Sequence, residues 1–216
     1  MRNGLLLAVL ITAAALCASQ AFGDRLILTP TGNLLDQGEV RAEAAFGSPD
    51  APTGLLTAGA SERVYWANIG MGRIEIEGAR FEPEGGESLD ILSAEVAVLP
   101  ETLVTPAIGL GVRDITEETT DGRGYYVAIT KTVPLTDVVP FFLHDVKVHA
   151  GYGVDGLNGA FGGVQVGLPL KLTLYAEHDS ENFNAALSWN IVPLVGLKVY
   201  SLDGEVFYGA SFKMKL

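Results

Sequence analysis

Val206–Leu216 reads VFYGASFKMKL, and its alternation decides how the rest of the chain is to be read. Val206, Tyr208, Ala210, Phe212, Met214 and Leu216 share one face, and Gly209, Ser211, Lys213 and Lys215 share the other. A period of two is the signature of a β-strand whose faces meet different surroundings, because successive side chains point to opposite sides. Upstream, Asn182–Ile191 sets Phe183, Ala185, Leu187, Trp189 and Ile191 against Asn184, Ala186, Ser188 and Asn190. In Leu143–Gly153, Val146, Val148, Ala150 and Tyr152 oppose Asp145, Lys147, His149, Gly151 and Gly153.

The rhythm extends back to residue 39. Twelve candidate strands follow from it: Glu39–Phe46, Arg63–Met71, Arg73–Phe81, Leu89–Leu99, Ala107–Arg113, Gly124–Lys131, Leu143–Gly153, Gly162–Leu168, Lys171–Asp179, Asn182–Ile191, Gly196–Asp203 and Val206–Leu216. Ten is the alternative, if the weaker second and eleventh candidates do not pair. Turn signals such as Asp121-Gly122, Asp155-Gly156 and Asp203-Gly204 separate most of them. Ser48–Ser61 is rich in Pro, Gly and Ala and reads as a loop, and 83–86 as a turn.

Composition narrows the classes. The 216 residues carry 14 basic and 26 acidic side chains, a net charge of −12, with 48% hydrophobic and 19% charged residues and 26 glycines. The acidic balance excludes a nucleic-acid binder, which needs a basic face for phosphates. The hydrophobic content excludes a disordered acidic tail. A single cysteine, Cys17, excludes a disulfide framework and a multi-cysteine zinc site. Mean hydropathy is +0.29, yet after residue 23 no uncharged apolar run reaches the ~18–20 residues of a membrane helix.

Residues 1–23 read as a secretory signal peptide. Arg2 gives the positive start, Leu5–Leu16 the apolar stretch, and Ser19-Gln20-Ala21 or Ala21-Phe22-Gly23 the small-residue cleavage site. Residues 24–38 then form an N-terminal extension, and 39–216 a barrel domain. An exported chain of two-faced strands fits a transmembrane β-barrel, with its apolar face to lipid and a polar lumen. A soluble exported barrel or sandwich, with the apolar face inward, shares the pattern. Three features favour the membrane. The non-apolar face mixes glycines with charges of both signs. Tyr65, Trp66, Tyr125, Tyr152, Phe183, Trp189 and Tyr208 lie near strand ends, where interfacial belts form. The C-terminal pattern of Gly209, Phe212, Met214 and Leu216 resembles the assembly signal of bacterial outer-membrane barrels, with Leu216 where Phe is commoner. The fold expected is therefore all-β, an antiparallel transmembrane barrel in the outer membrane, in contact with its lipid and with the barrel assembly machinery.

Thr29-Pro30-Thr31-Gly32, with Gly38 closing the run, resembles the opening motif of YjbH-like outer-membrane barrels. The tail, Leu174–Asp179, Asn182–Trp189, Gly196-Leu197 and Leu202-Asp203-Gly204, resembles their C-terminal hairpins, with Ala186 and Trp189 in place of Gly and Tyr. The resemblance implies a link to exopolysaccharide production and polysaccharide export components.

Catalytic motifs are missing: there is no phosphate loop, HExxH or GxSxG. No enzyme activity, cofactor or metal is expected. His149, Asp145 and Lys147 share a face and read as part of a lumen polar network with Glu75, Glu77, Glu95, Arg113, Gln165 and Glu177. Glu177-His178-Asp179 reads as a solvated strand end, because alternation turns His178 away from its neighbours. The acidic stretch Asp114–Asp121 reads as an exposed hairpin loop, with weak cation binding the alternative. A structural or export-associated barrel is the leading function, and the alternatives are a small passive, porin-like channel or a soluble exported β-barrel binding protein.

Overall fold

A computed structural model describes residues 25–47, 63–82, 86–135 and 143–216. The signal peptide expected at 1–23, the loop expected at 48–61 and most of the turn expected at 83–86 lie outside the described residues.

Twelve strands form: β1 (Glu39–Phe46), β2 (Arg63–Met71), β3 (Ile74–Glu82), β4 (Leu89–Leu99), β5 (Ala107–Arg113), β6 (Gly124–Pro134), β7 (Asp145–Asp155), β8 (Gly159–Leu168), β9 (Leu172–His178), β10 (Phe183–Val192), β11 (Val195–Leu202) and β12 (Glu205–Lys215). Each pairs antiparallel with its sequence neighbours, and β12 returns to β1, from Glu39↔Lys215 to Phe46↔Tyr208, to close the ring. The second and eleventh strands are full members, β2 between β1 and β3 and β11 between β10 and β12, so the ten-stranded alternative falls. Closure leaves no edge strand with unpaired amides, as a lipid-embedded sheet requires.

Alternation resolves into two environments. Val148 is 46% exposed and Phe212 41%, while their neighbours Lys147 and Ser211 are 4% and 8% exposed. A soluble barrel would bury the apolar face. Here the apolar face is the outer one and runs round the ring, which is the arrangement of a membrane-spanning barrel. A bulge between Ala97 and Leu99 interrupts the rhythm on β4, and both Val98 and Leu99 are exposed.

The two ends differ. Residues 38 and 216 lie at one, the terminal end, where Leu216 donates its amide to Gly38 O at 2.8 Å. The Asp203-Gly204 turn lies at the other, the distal end, with Asp203 and Gly204 at positive φ. Phe46, Tyr65, Tyr125, Tyr152, Phe183 and Tyr208 face outward near the distal end, and Phe46 meets Tyr65 edge-on at 6.2 Å. Met71, Ile74, Leu194 and Leu216 are exposed near the terminal end. Trp66 is the exception to the expected belt. It points into the lumen and is 5% exposed, because Tyr65 holds the outward position beside it.

The lumen is layered. In its distal half, Val64, Trp66, Phe81, Ile91, Tyr200, Leu202 and Phe207 form an apolar core. The expectation of a lumen lined by small and charged residues is corrected there. In the terminal half, Glu39, Arg41, Asn68, Glu75, Lys147, His149, Thr173, Ser188 and Lys198 point inward and are buried.

Candidate functional site

A barrel of about eight strands can be filled by its own side chains, whereas much wider ones enclose water. This twelve-stranded barrel is filled by a further piece of its own chain. Residues 25–35, expected only as part of an extension preceding the barrel, lie inside it, and Asp36 and Gln37 are exposed where the chain leaves. A bridge between Arg25 and Pro30 and a bond from Leu26 N to Thr29 O (2.8 Å) fold the segment into a tight hairpin. Its tip, Leu26-Ile27-Leu28, joins the apolar core beside Trp66, Tyr175 and Phe207. The chain then runs back to leave at Gly38, at the terminal end.

A strand's amides would bond to a neighbouring strand; this segment's cannot, so wall side chains must accept them. Glu177 takes most. Its carboxylate accepts from Ile27 N (2.9 Å), Leu28 N (2.9 Å), Thr29 N (3.3 Å) and the Thr29 hydroxyl (2.9 Å). Asn184 donates to it from the wall at 3.2 Å. Consecutive backbone amides converging on one anion make a nest. Further along, Gly32 N donates to Thr130 Oγ1 (2.9 Å) and Leu35 N to Glu75 (2.7 Å). Gly32 passes so close to the wall that a Cβ would lie 2.8 Å from Ala107 O and 2.9 Å from Ala128 O. At Gly70 a Cβ would overlap Leu35 O and Asp36 O, so the wall also gives way to the segment.

Charge ties the segment to the barrel. Arg25 is buried, with its guanidinium 4.1 Å from the centre of the Trp66 ring, and it bridges Glu77 (2.8 Å) and Glu43 (3.2 Å). Glu43 is the hub of the layer: Arg41, Lys198 (2.7 Å) and the Tyr200 hydroxyl also converge on it. A buried carboxylate is tolerated there because cations and a hydroxyl replace its water. Between segment and wall a cavity of ≈ 40 Å³ is left, lined by Arg25, Asn68, Glu75, Glu77, Glu95 and Arg113. It has room for roughly three waters.

The structure gathers Glu75, Glu77, Glu95 and Arg113 around this cavity. Asn68 donates to both Glu75 (3.0 Å) and Glu77 (2.9 Å), and Tyr126 to Glu95 (3.0 Å). The other expected lumen residues lie elsewhere. On β7 and β8, Lys147 stands opposite Gln165 in register, and Asp145 lies half-buried beside Gly167. His149 meets Thr130 (2.9 Å), the residue that accepts from Gly32, so it supports the segment rather than pairing with Asp145. Glu177 and Asp179 are 1% and 0% exposed. The solvated strand end expected there is thus a buried clamp, because the segment covers it. His178 faces outward against Phe183, with ring centroids 5.2 Å apart. Among the described residues no group of three or more His, Cys, Asp or Glu is arranged to hold a metal ion. At the C-terminus, Met214 and Phe212 stand opposite Val40 and Ala42 on the seam, with Gly209 opposite Ala45 and Leu216 bonded to Gly38.

Glu43, Lys198 and Asn184 were not among the expected site residues, although alternation puts all three on the inward face. Arg25 carried no such signal.

Two loops are locked by carboxylates outside the spanning segments. In the β4–β5 turn, burial works against the Glu101 carboxylate. Bonds from the Thr132 amide, Asn33 and the Thr132 hydroxyl outweigh it and hold its carboxyl below the usual range. At the distal end Asp114 is buried while Glu117, Glu118 and Asp121 around it are exposed. Asp114 accepts from the Thr116 hydroxyl, the Glu118 amide, and the amide and hydroxyl of Thr119. It organises the loop expected to be wholly exposed.

No family model and no curated protein matches the chain. Among solved structures it is similar to a KdgM porin, with 11% identity over 82% of this chain and 99% of that one and a TM-score of 0.49. It is similar to a NanC porin, with 11% identity over 82% and 100% and a TM-score of 0.48. It is also similar to Pseudomonas putida OprB, with 12% identity over 83% and 62% and a TM-score of 0.31.

Proposed function

We propose that this is an integral outer-membrane β-barrel of structural or export-associated role whose lumen is closed at rest by its own residues 25–35. One observation carries the reading: the segment runs through the lumen with its amides bonded to Glu177, Thr130 and Glu75, and a cavity of ≈ 40 Å³ lies beside it. An open passive pore would need a continuous water column. The cavity lined by Glu75, Glu77, Glu95 and Arg113 favours a second reading, a narrow channel opened by rearrangement. Outer-membrane lipid would cover the apolar belt, and the assembly machinery would read β12. The link to polysaccharide export components rests on the resemblance of the Thr29–Gly38 run, most of which belongs to the plugging segment, and of the C-terminal hairpins from Leu174 to Gly204.

Carbonate washing of envelopes and planar-bilayer recording test this. The protein should stay with the membrane and the unmodified barrel should show no steady open-pore conductance. Release into the supernatant would reject the membrane role, and a steady conductance would reject the closed lumen.

A further inference from the structure

The plugging segment is held in an unusual way. It is not a strand of the sheet, so it can leave without breaking any ladder bond of the barrel. Its covalent link to the barrel wall is at Gly38, which has φ +74 and donates to Gly70 O at 2.9 Å, at the terminal end. The distal end is blocked by wall side chains, among them Phe81, Leu202 and Phe207. The terminal half is polar and is where the chain already exits. Four of the donors that fix the hairpin converge on a single carboxylate, Glu177, whose other partner is Asn184 of the wall.

We propose that residues 25–37 are a displaceable plug, tethered at Gly38 and latched by Glu177, and that releasing the latch lets the plug swing out through the terminal end and opens the lumen to water. This rests on the reading of the chain as a closed membrane barrel. The latch is chemical rather than steric. A carboxylate is acceptor-only and can take all four donors. A glutamine of the same shape offers one acceptor and turns an amide N–H₂ against backbone N–H groups. Resting closure is favoured because Leu26, Ile27, Leu28 and Leu35 are buried within it and would meet water outside it.

The experiment uses the full chain inserted in lipid bilayers. The only native cysteine is Cys17, in the expected signal peptide, so a single Leu28→Cys substitution reports on the plug through a water-soluble maleimide. Leu28→Cys should be protected in the otherwise unmodified barrel. With Glu177→Gln added it should label roughly ten- to a hundredfold faster, the range for removing the hydrogen bonds of a charged group, and planar bilayers should show openings. Thr29→Val, which removes one donor and leaves the wall untouched, should give a smaller rise and serves if Glu177→Gln fails to fold. Heat-modifiable mobility confirms that each variant is a closed barrel. Equal protection in all folded variants would overturn the latch while the closed-barrel reading stands. Equal, rapid labelling in all of them would overturn both, and extraction by carbonate would overturn the membrane reading beneath them.

Discussion

The distal and terminal halves of the lumen solve one problem with opposite chemistry. Both must fill the same ring of strands around the same inserted segment. The distal half does so with Trp66, Phe81, Tyr200 and Phe207 around Leu26–Leu28, a protein core inside a membrane barrel. The terminal half uses Arg41, Asn68 and Glu75, joined at the junction of the halves by Glu43 and Lys198, and their charges and amides satisfy one another. The difference teaches that lumen does not mean polar. An inward side chain meets whatever fills the barrel, and here that filling is apolar in the distal half except at Glu177, Asp179 and Asn184, and ionic in the terminal half. Near the distal end β2 and β12 are apolar on both faces, from Val64 to Trp66 and from Val206 to Tyr208, whereas β9 and β10 still carry Glu177 and Asn184 inward there.

The sharpest way to break the comparison is at its ionic hub. Glu43→Leu leaves Arg41 and Lys198 buried without their shared carboxylate. It should cost about 3–5 kcal/mol, as removing one partner of a buried charge network does. Urea-induced unfolding of the barrel in lipid would measure it. Replacing Glu43, Arg41 and Lys198 together with apolar residues of similar volume should recover much of that loss. If the triple variant is no better than the single one, the terminal half is not an ionic core. On the apolar side, Phe207→Ala should cost about 3–5 kcal/mol through its cavity, without rescue by any charge change. The two halves are thus separated by their repair rather than by their size.

How legible this was in the sequence follows the same division. The twelve strands could be read because the outer face is apolar all round while much of the inner one is not. The pattern blurred where both faces are apolar: in Val64-Tyr65-Trp66 the aromatic character of Trp66 suggested the belt, although alternation with Tyr65, Ala67 and Ile69 puts it on the inward face with Asn68. The plug was illegible for a different reason. Residues 25–37 have no period, and their main acceptor, Glu177, is about 150 residues away, in a strand they do not pair with. Glu177 looked solvated because it precedes a turn, and only the segment that covers it makes it buried. Glu43 and Lys198 could have been found, since both fall on inward positions of their strands.

A smaller effect separates inner from outer faces in the terminal half. Val148→Arg should impair assembly by ~2–4 kcal/mol, the cost of an arginine facing mid-bilayer, while Gln165→Glu, one strand away and inward, should be tolerated. Lys147 lies directly opposite Gln165 and would pair with the new carboxylate. By the same geometry Gln165→Arg should be worse than Gln165→Glu, since it sets two buried cations against each other. The yield of folded, heat-modifiable barrel ranks the three variants, and equal yields would remove Lys147 and Gln165 from the polar layer.

The smallest expected effect lies outside the membrane, at Asp114. Burial alone would raise its pKa. The hydroxyl and amide of Thr119, the Glu118 amide and the Thr116 hydroxyl favour the charged form more strongly and hold it below the ordinary value. A carboxyl depressed in the folded state adds stability above its unfolded pKa, about 3.9, and loses it as pH falls through the folded value. The loop after β5 should therefore keep its shape at neutral and mildly acid pH and loosen only below about pH 4. The rest of the barrel, held by its closed ladder, should be unaffected. Asp114→Asn keeps one acceptor but no charge, so it should loosen the loop already at pH 7 and flatten the acid transition. Limited proteolysis across pH, by an acid-tolerant protease, reads this as cleavage confined to 114–123. Cleavage that rises equally in both proteins as pH falls would place the acid sensitivity elsewhere and leave Asp114 as an ordinary loop residue.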